Sequence, residues 1–258
     1  MSRSGQKDSM PMLDGCTALR IRHDPGHRTL EHAHREGQVF LVKKGALLVN
    51  SSQGAWSMPQ GYVAWIPPGH QHFAVHYGRV EVSGLYLPPS LCAGLPERPA
   101  VLRRTEVLCA VLERLAVGLP ELGQETRGAH LLAVLLDELA EAEEEPLALP
   151  SPREARLARI AKALMDDPAE HRSLEELARE FALSRRTLSR LFRQETGLSV
   201  GQWRLRRRMI AAMGLLAEGN SVTETAFLLG YESSSAFIQA FRRVFGVTPS
   251  LYWTKTKP

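Results

Sequence analysis

Cysteine is scarce. Cys16, Cys92 and Cys109 are the only three in 258 residues, too few and too scattered for a disulfide framework or a zinc ribbon. Cys92 and Cys109 read as structural thiols, with redox sensing the lesser reading. No apolar run approaches the ~20 residues that span a bilayer. The opening MSRSGQKDSMPMLDG lacks the apolar core of a secretion signal. Nucleophile motifs and phosphate-binding loops are missing too. These absences point to a cytoplasmic protein with reduced thiols and no membrane partner. What is present, 44% hydrophobic and 23% charged residues, is the composition of a soluble globular protein. At this length the chain makes one large domain or two ordinary ones.

Charge is unevenly spread. Residues 1–150 carry 14 Lys and Arg against 17 Asp and Glu, whereas residues 151–258 carry 18 against 11. The second half alone therefore suits a polyanionic partner, although an ordinary basic surface would give the same count. Organisation follows the same division. After residues 1–15, read as disordered, residues 16–98 hold short β-runs such as Gln38–Lys43, Ala46–Asn50, Tyr62–Ile66 and Val80–Leu87, separated by Gly and Pro. Such runs favour an all-β sandwich or barrel. Residues 99–142 switch to helical spacing, with Leu108, Leu112 and Leu115, then Leu131, Leu132, Leu135, Leu136 and Leu139. Two amphipathic helices broken near Gly118–Gly123 are expected. Their leucine stripe carries more apolar face than one small barrel covers, which predicts a homodimer surface. Residues 143–152, acidic and then rich in proline, read as a linker.

From residue 153 onward the chain is helical. Ser151-x-x-Glu154, Ser173-x-x-Glu176, Ser199-x-x-Gln202 and Ser221-x-x-Glu224 each head an apolar-periodic segment, as capping boxes do. This zone also repeats. A shift of 48 lays Ser173 on Ser221 and Ala178 on Ala226; a shift of 49 lays Leu188 on Phe237, Phe192 on Phe241 and Gly197 on Gly246. Each copy is a helix, a short turn and a second helix, the helix-turn-helix plan, whose second helix can enter the major groove. The polar faces of those second helices carry Arg185, Arg186, Ser189, Arg190 and Arg193, then Ser234, Ser235, Gln239, Arg242 and Arg243. Arginine reads guanine, glutamine reads adenine, and serine serves base or phosphate. The helix between the copies spans roughly 28 Å, near the ~34 Å between successive major grooves on one face of DNA. Solvated arginines on a helical packing domain are the plainer alternative. The segment from Ser173 to Trp253, above all LLGYESSSAFIQAFRRVFGVTP, closely resembles the double helix-turn-helix domain of AraC-type transcriptional regulators. That resemblance puts Arg186, Ser189 and Arg190 at base-reading positions of the first unit, and Ser234, Ser235 and Gln239 at those of the second.

Upstream, Gly26-x5-His32-x-His34-x3-Gln38-x6-Gly45 and Gly61-x5-Pro67-x-Gly69-x2-His72-x3-His76 resemble the two cupin motifs. Gln38 stands where metal cupins have glutamate, and His76 where asparagine is usual. The fold expected is thus two domains, an N-terminal cupin-like jelly-roll barrel followed by a helical pair, and a C-terminal all-α double helix-turn-helix domain. His32 and His34, at i and i+2, share a strand face, and His72 from another strand completes a three-histidine set. Imidazoles suit a divalent transition metal. Neutral Gln38 weakens that reading, Glu36 on the same face compensates in part, and no cofactor at all is the alternative. For a small-molecule effector, His32, His34, Gln38, Trp65, His72 and Tyr86 are the candidate contacts, with Trp56 and Phe73 as further wall.

Two function classes follow. One is an effector-controlled regulator that binds promoter DNA, with RNA polymerase as a partner in an activator. The other is a metal-dependent cupin oxygenase or isomerase fused to a DNA-binding domain. An enzyme needs an open metal position and a nearby acid or base; the missing acidic ligand favours the regulator, which is not an enzyme.

Overall fold

The computed structural model describes residues 15–118, 125–145 and 147–255. Disorder expected for the N-terminus falls on residues outside these, as does most of the break expected near Gly118–Gly123. The chain divides into two compact units. Among the described residues, those up to Val49 with those of Trp56–Glu145 make the first, and Asn50–Ala55 with those after Glu145 make the second.

The first unit holds strands β1 (Thr17–His23), β2 (Gly37–Ser51), β3 (Gly54–Pro59), β4 (Val63–Ile66), β5 (Phe73–Leu87) and β6 (Ala100–Leu102), then helices α1 (Glu106–Gly118) and α2 (Glu125–Glu141). Strand order is β1-β5-β2-β3, with β4 on β2 and β6 on β4. β1 runs antiparallel to β5, from Thr17 opposite Tyr86 to His23 opposite Val80. β4 runs antiparallel to β2, from Gln38 opposite Ile66 to Leu41 opposite Val63. This is the all-β cupin-like unit, but as an open sheet. Closure would give every strand two neighbours, and β1 ends the path with β5 alone beside it.

β2 and β5 each run on where the sequence suggests two short strands. Gly45 (φ 74°) and Gly78 (φ 67°) bend them without ending them. At Gly45 a Cβ would lie 2.6 Å from the Arg79 carbonyl oxygen, so only glycine lets the two long strands approach this closely.

The leucine stripe faces inward. Leu108, Leu112, Leu115, Leu132, Leu135 and Leu139 are buried in one cluster with Val39, Trp65, Leu85, Leu87 and Leu102. The helices thus cover one face of their own sheet, and removing one of these leucines would cost about 2–5 kcal/mol. The reason given for a dimer surface on residues 99–142 fails, because the apolar face is consumed within the chain.

Residues 143–145 do not hang free either. The Arg103 amide donates to the Glu143 carbonyl at 2.7 Å and the Glu145 amide to the Val101 carbonyl at 2.8 Å. Arg103 ion-pairs with Glu143 and Glu145, and Arg98 with Glu144. The acidic half of the expected linker is laced along β6.

The second unit contains β7 (Ala148–Pro150), α3 (Ala155–Asp166), α4 (Leu174–Glu180), α5 (Arg185–Thr196), α6 (Val200–Ala217), α7 (Val222–Leu228), α8 (Ser234–Phe245) and α9 (Pro249–Lys255). Ser173, Ser199 and Ser221 each close a capping box with Glu176, Gln202 and Glu224. Ser151 does not. Its amide donates to the Gln53 carbonyl at 3.0 Å, and Glu154 caps α3 by accepting from the Leu157 amide. Leu157, Ile160, Leu177, Leu188, Phe192, Trp203, Phe237 and Phe241 are buried.

Candidate functional site

Alternation along the strands builds a cavity of about 250 Å³ in the first unit. Leu19, Ile21 and His23 of β1, Gln38, Phe40, Leu47 and Val49 of β2, and Ala74, His76, Val82 and Tyr86 of β5 line it. Residues of opposite phase, such as Val39 and Leu85, point to the helices. Of the expected effector contacts, His32, His34, Gln38, His72 and Tyr86 all line this space. Trp65 does not. Its phase puts it in the cluster beneath α1 and α2, with the indole N–H donating to the Pro96 carbonyl at 2.7 Å, while its neighbour Ile66 faces the cavity. Trp56 and Phe73 are likewise absent from the lining.

Histidines crowd this cavity in two groups. His32, His34 and His72 have ring centroids 4.5–5.5 Å apart. Paired backbone hydrogen bonds of 2.9 and 2.8 Å lock His32 to His72 across the sheet. Sequence reasoning missed the second group. His23 stacks on His27 at 3.9 Å, and the His76 ring lies edge-on to His23 at 4.7 Å. The His76 Nδ1 is 2.9 Å from the His27 carbonyl. Burial lowers the pKa of His72 and His23, and takes that of His76 down to about 4. These rings are neutral at pH 7. The available signal was strand phase, since His23 follows Leu19 and Ile21 at i+2 spacing. Burial raises the pKa of the Cys92 and Cys109 thiols, which keeps them protonated and gives no support to redox sensing.

In the second unit the two repeats share their turn geometry. The Leu183 amide donates to the Ala178 carbonyl (2.8 Å), and the Tyr231 amide to the Ala226 carbonyl (3.0 Å). Ser184 and Ser233 cap α5 and α8, and glycines in the left-handed region, Gly197 and Gly246, end them. On α5, Arg185, Arg186, Arg190 and Arg193 are exposed and Ser189 is half-buried. On α8, Ser235, Gln239, Arg242 and Arg243 are exposed and Ser234 is half-buried. Arg185 pairs with Glu175 at 2.8 Å.

The basic helix between the repeats spends its charge inward. Arg207 of α6 donates twice to the Met165 carbonyl at the end of α3 (3.0 and 2.7 Å). Arg204 donates to the Arg172 carbonyl, Arg206 to the Ala148 carbonyl, and Arg208 to the Pro168 and Glu170 carbonyls. Those of Arg204, Arg207 and Arg208 satisfy carbonyls at the end of α3 and along the connection that follows it, and that of Arg206 satisfies a carbonyl of β7.

Comparison with known proteins follows the same division. Residues 17–149 match the family described as AraC-like ligand binding domain, and residues 177–255 match a helix-turn-helix domain. The HTH-type transcriptional regulator NimR of Escherichia coli (strain K12) is 32% identical over 221 residues, covering 86% of this chain and 81% of that protein. The HTH-type transcriptional activator RhaS of Escherichia fergusonii is 29% identical and covers 96% of both chains. RipA, an HTH-type transcriptional regulator of Corynebacterium glutamicum, is 42% identical over 106 residues, 41% of this chain and 31% of that protein. No helix of the described residues is long and apolar enough to cross a membrane.

Proposed function

This chain belongs to the AraC family of transcriptional regulators, which join a ligand-binding domain to a DNA-binding helix-turn-helix domain, and on that premise we propose how it reads DNA and what controls it. α5 and α8 enter successive major grooves of a promoter. Arg185, Arg186, Ser189, Arg190 and Arg193 serve the first groove; Ser234, Ser235, Gln239, Arg242 and Arg243 serve the second. The observation that carries this is the two-sidedness of α5. Leu188 and Phe192 are fully buried, while its arginines stand exposed on the other side. The exposed Arg185–Glu175 pair is worth little in water, so phosphate can take the arginine over.

A small molecule held in the cavity is the controlling input, acting through about 1–3 kcal/mol of coupling. His32, His34, Gln38, His72 and Tyr86 orient it, and Phe40, Leu47 and Val82 supply apolar wall. The protein's role is regulation in the cytoplasm, not catalysis, and RNA polymerase is its partner where it activates. It works as a homodimer. With the leucine stripe buried, Val107, Val117 and Val134 are the exposed large hydrophobics of α1 and α2 among the described residues.

Genome-wide DNA pull-down with the full chain, followed by gel shifts on the recovered sites, tests the DNA reading. Arg190→Ala is expected to relax specificity at one base pair. A loss uniform over all base substitutions would make Arg190 a phosphate contact and sink the base-reading assignment. Light scattering reads the oligomeric state, and a monomer at working concentration removes the dimer.

A further inference from the structure

We propose that Arg208 fixes the angle between the two helix-turn-helix repeats and so sets the spacing of the two DNA boxes that the chain accepts. The inference rests on the reading that α5 and α8 enter successive major grooves. Each repeat packs within itself, α4 on α5 and α7 on α8, and both lean on α6. Their angle is held further where one repeat meets the other directly. The segment 167–172 is such a place. It leads into the first repeat, for Arg172 ion-pairs with Glu170 beside it and with Glu180 at the end of α4, and Ser173 caps α4. It also abuts the turn of the second. The Gly230 backbone passes so close that a Cβ there would lie 3.3 Å from the Ala169 carbonyl oxygen.

Arg208 locks that contact from α6. It donates from Nε to the Pro168 carbonyl at 3.1 Å and from Nη2 to the Glu170 carbonyl at 3.0 Å. Its Cζ lies over the Tyr231 ring, 5.7 Å from the centroid. Tyr231 stands two residues before the Ser233 cap of α8, and its ring meets the buried Phe237 of α8 edge-on at 5.5 Å. One side chain thus touches both the entry to the first repeat and the start of the second recognition helix.

This double contact calls for arginine. A guanidinium can donate along one edge while it sits over an aromatic ring. A lysine ammonium is a compact point charge without that fork, so it keeps the charge and loses the lock. The angle has a readable consequence on DNA. One base pair added between the boxes moves the second by ~3.4 Å and turns it by roughly 34° about the axis. Locked repeats cannot follow that displacement, whereas loosened ones can.

The test uses the full-length chain and the tightest duplex it selects from a random-sequence pool, remade with one base pair inserted between the two footprinted boxes. Wild type should lose about 30-fold or more in affinity, the scale of a strong mismatch. Arg208→Lys and Tyr231→Leu should each lose less than about fivefold on the same insertion, and Tyr231→Phe, which keeps the ring, should match wild type. Circular dichroism and thermal midpoints check that the variants fold. The two variants break the lock from opposite ends, so either decides the matter should the other unfold. A spacing preference as strict as wild type in the folded variants would overturn the proposal. So would a strict preference in Arg208→Ala together with a salt slope lowered by about 0.9, which would make Arg208 a phosphate contact. A wild-type chain indifferent to the insertion would overturn the two-groove reading and this proposal with it, so wild type alone tells the two failures apart.

Discussion

In the first helix-turn-helix unit the chain reverses at Ala182, held at φ 53°, whereas the second turns at Gly230, at φ 74°. The flanking hydrogen bonds are the same, so packing imposes the left-handed residue whether or not glycine supplies it. What differs is the neighbour. A Cβ on Gly230 would lie 2.5 Å from Cε1 of the exposed His171, so an alanine like the one the first turn carries would have to push that ring aside. The surfaces differ as well. α5 carries long donors from its first turn onward, while α8 opens with serines and keeps its arginines in its last turn. A duplicated scaffold thus keeps its core and turn while its outer face diverges.

Core substitutions should show the likeness most strongly. Phe192→Ala and Phe241→Ala, at matched and fully buried positions, are each expected to cost about 3–5 kcal/mol in urea melts. A cost in one and not the other would break the equivalence of the units. Gly230→Ala should come next, at about 1–2 kcal/mol from left-handed strain, with the exposed His171 ring turning aside. For DNA, Arg190→Ala should lose about 1–3 kcal/mol of discrimination at one base pair and Gln239→Ala less; binding assays on matched and mismatched sites would show the reverse order if α8 leads.

Acid should act through the bracing of the first helix-turn-helix repeat. Glu170 has its pKa pulled down to about 2 by hydrogen bonding to Arg172. As pH falls below about 4.5, the unfolded chain takes up that proton first. The pair's stabilisation is therefore complete above 4.5 and fades as pH falls toward 2. Acid melts of Glu170→Gln should lack this limb, and an unchanged acid profile would refute it. Smallest and opposite in sign, Ala182→Gly should stabilise by up to about 1 kcal/mol, since strain relief outweighs the entropy glycine adds to the unfolded chain.

Periodic and locally punctuated features were legible in the sequence. Three of the four capping boxes, the repeat and the helices α5 and α8 could be read from spacing, while five of the six residues named for an effector through the cupin resemblance line the cavity. Trp65 was misplaced because aromatic character says nothing about strand phase, whereas its neighbours Gln38 and Ile66 carry the phase. The leucine stripe was read as surplus because sequence does not reveal how much sheet face a helix pair must cover. α6 misled through charge: Arg204, Arg206, Arg207 and Arg208 enter the basic count of the second half, yet their guanidiniums are bound to backbone carbonyls. A charge tally cannot tell a phosphate-seeking arginine from one that caps a helix.

Residues 50–55, the tip between β2 and β3, are counted in the second unit, where Gln53 accepts from the Ser151 amide and Gly54 sits so tightly on Leu149 that a Cβ would lie 2.4 Å from its carbonyl oxygen. β7 in turn receives the Trp203 indole at the Pro150 carbonyl and Arg206 at the Ala148 carbonyl. For anyone recombining such proteins, the natural cut is therefore not a single point in the chain. A chimaera that exchanges everything after residue 146 inherits a foreign six-residue tip from the other parent. Successful hybrids should be those that transplant both segments together.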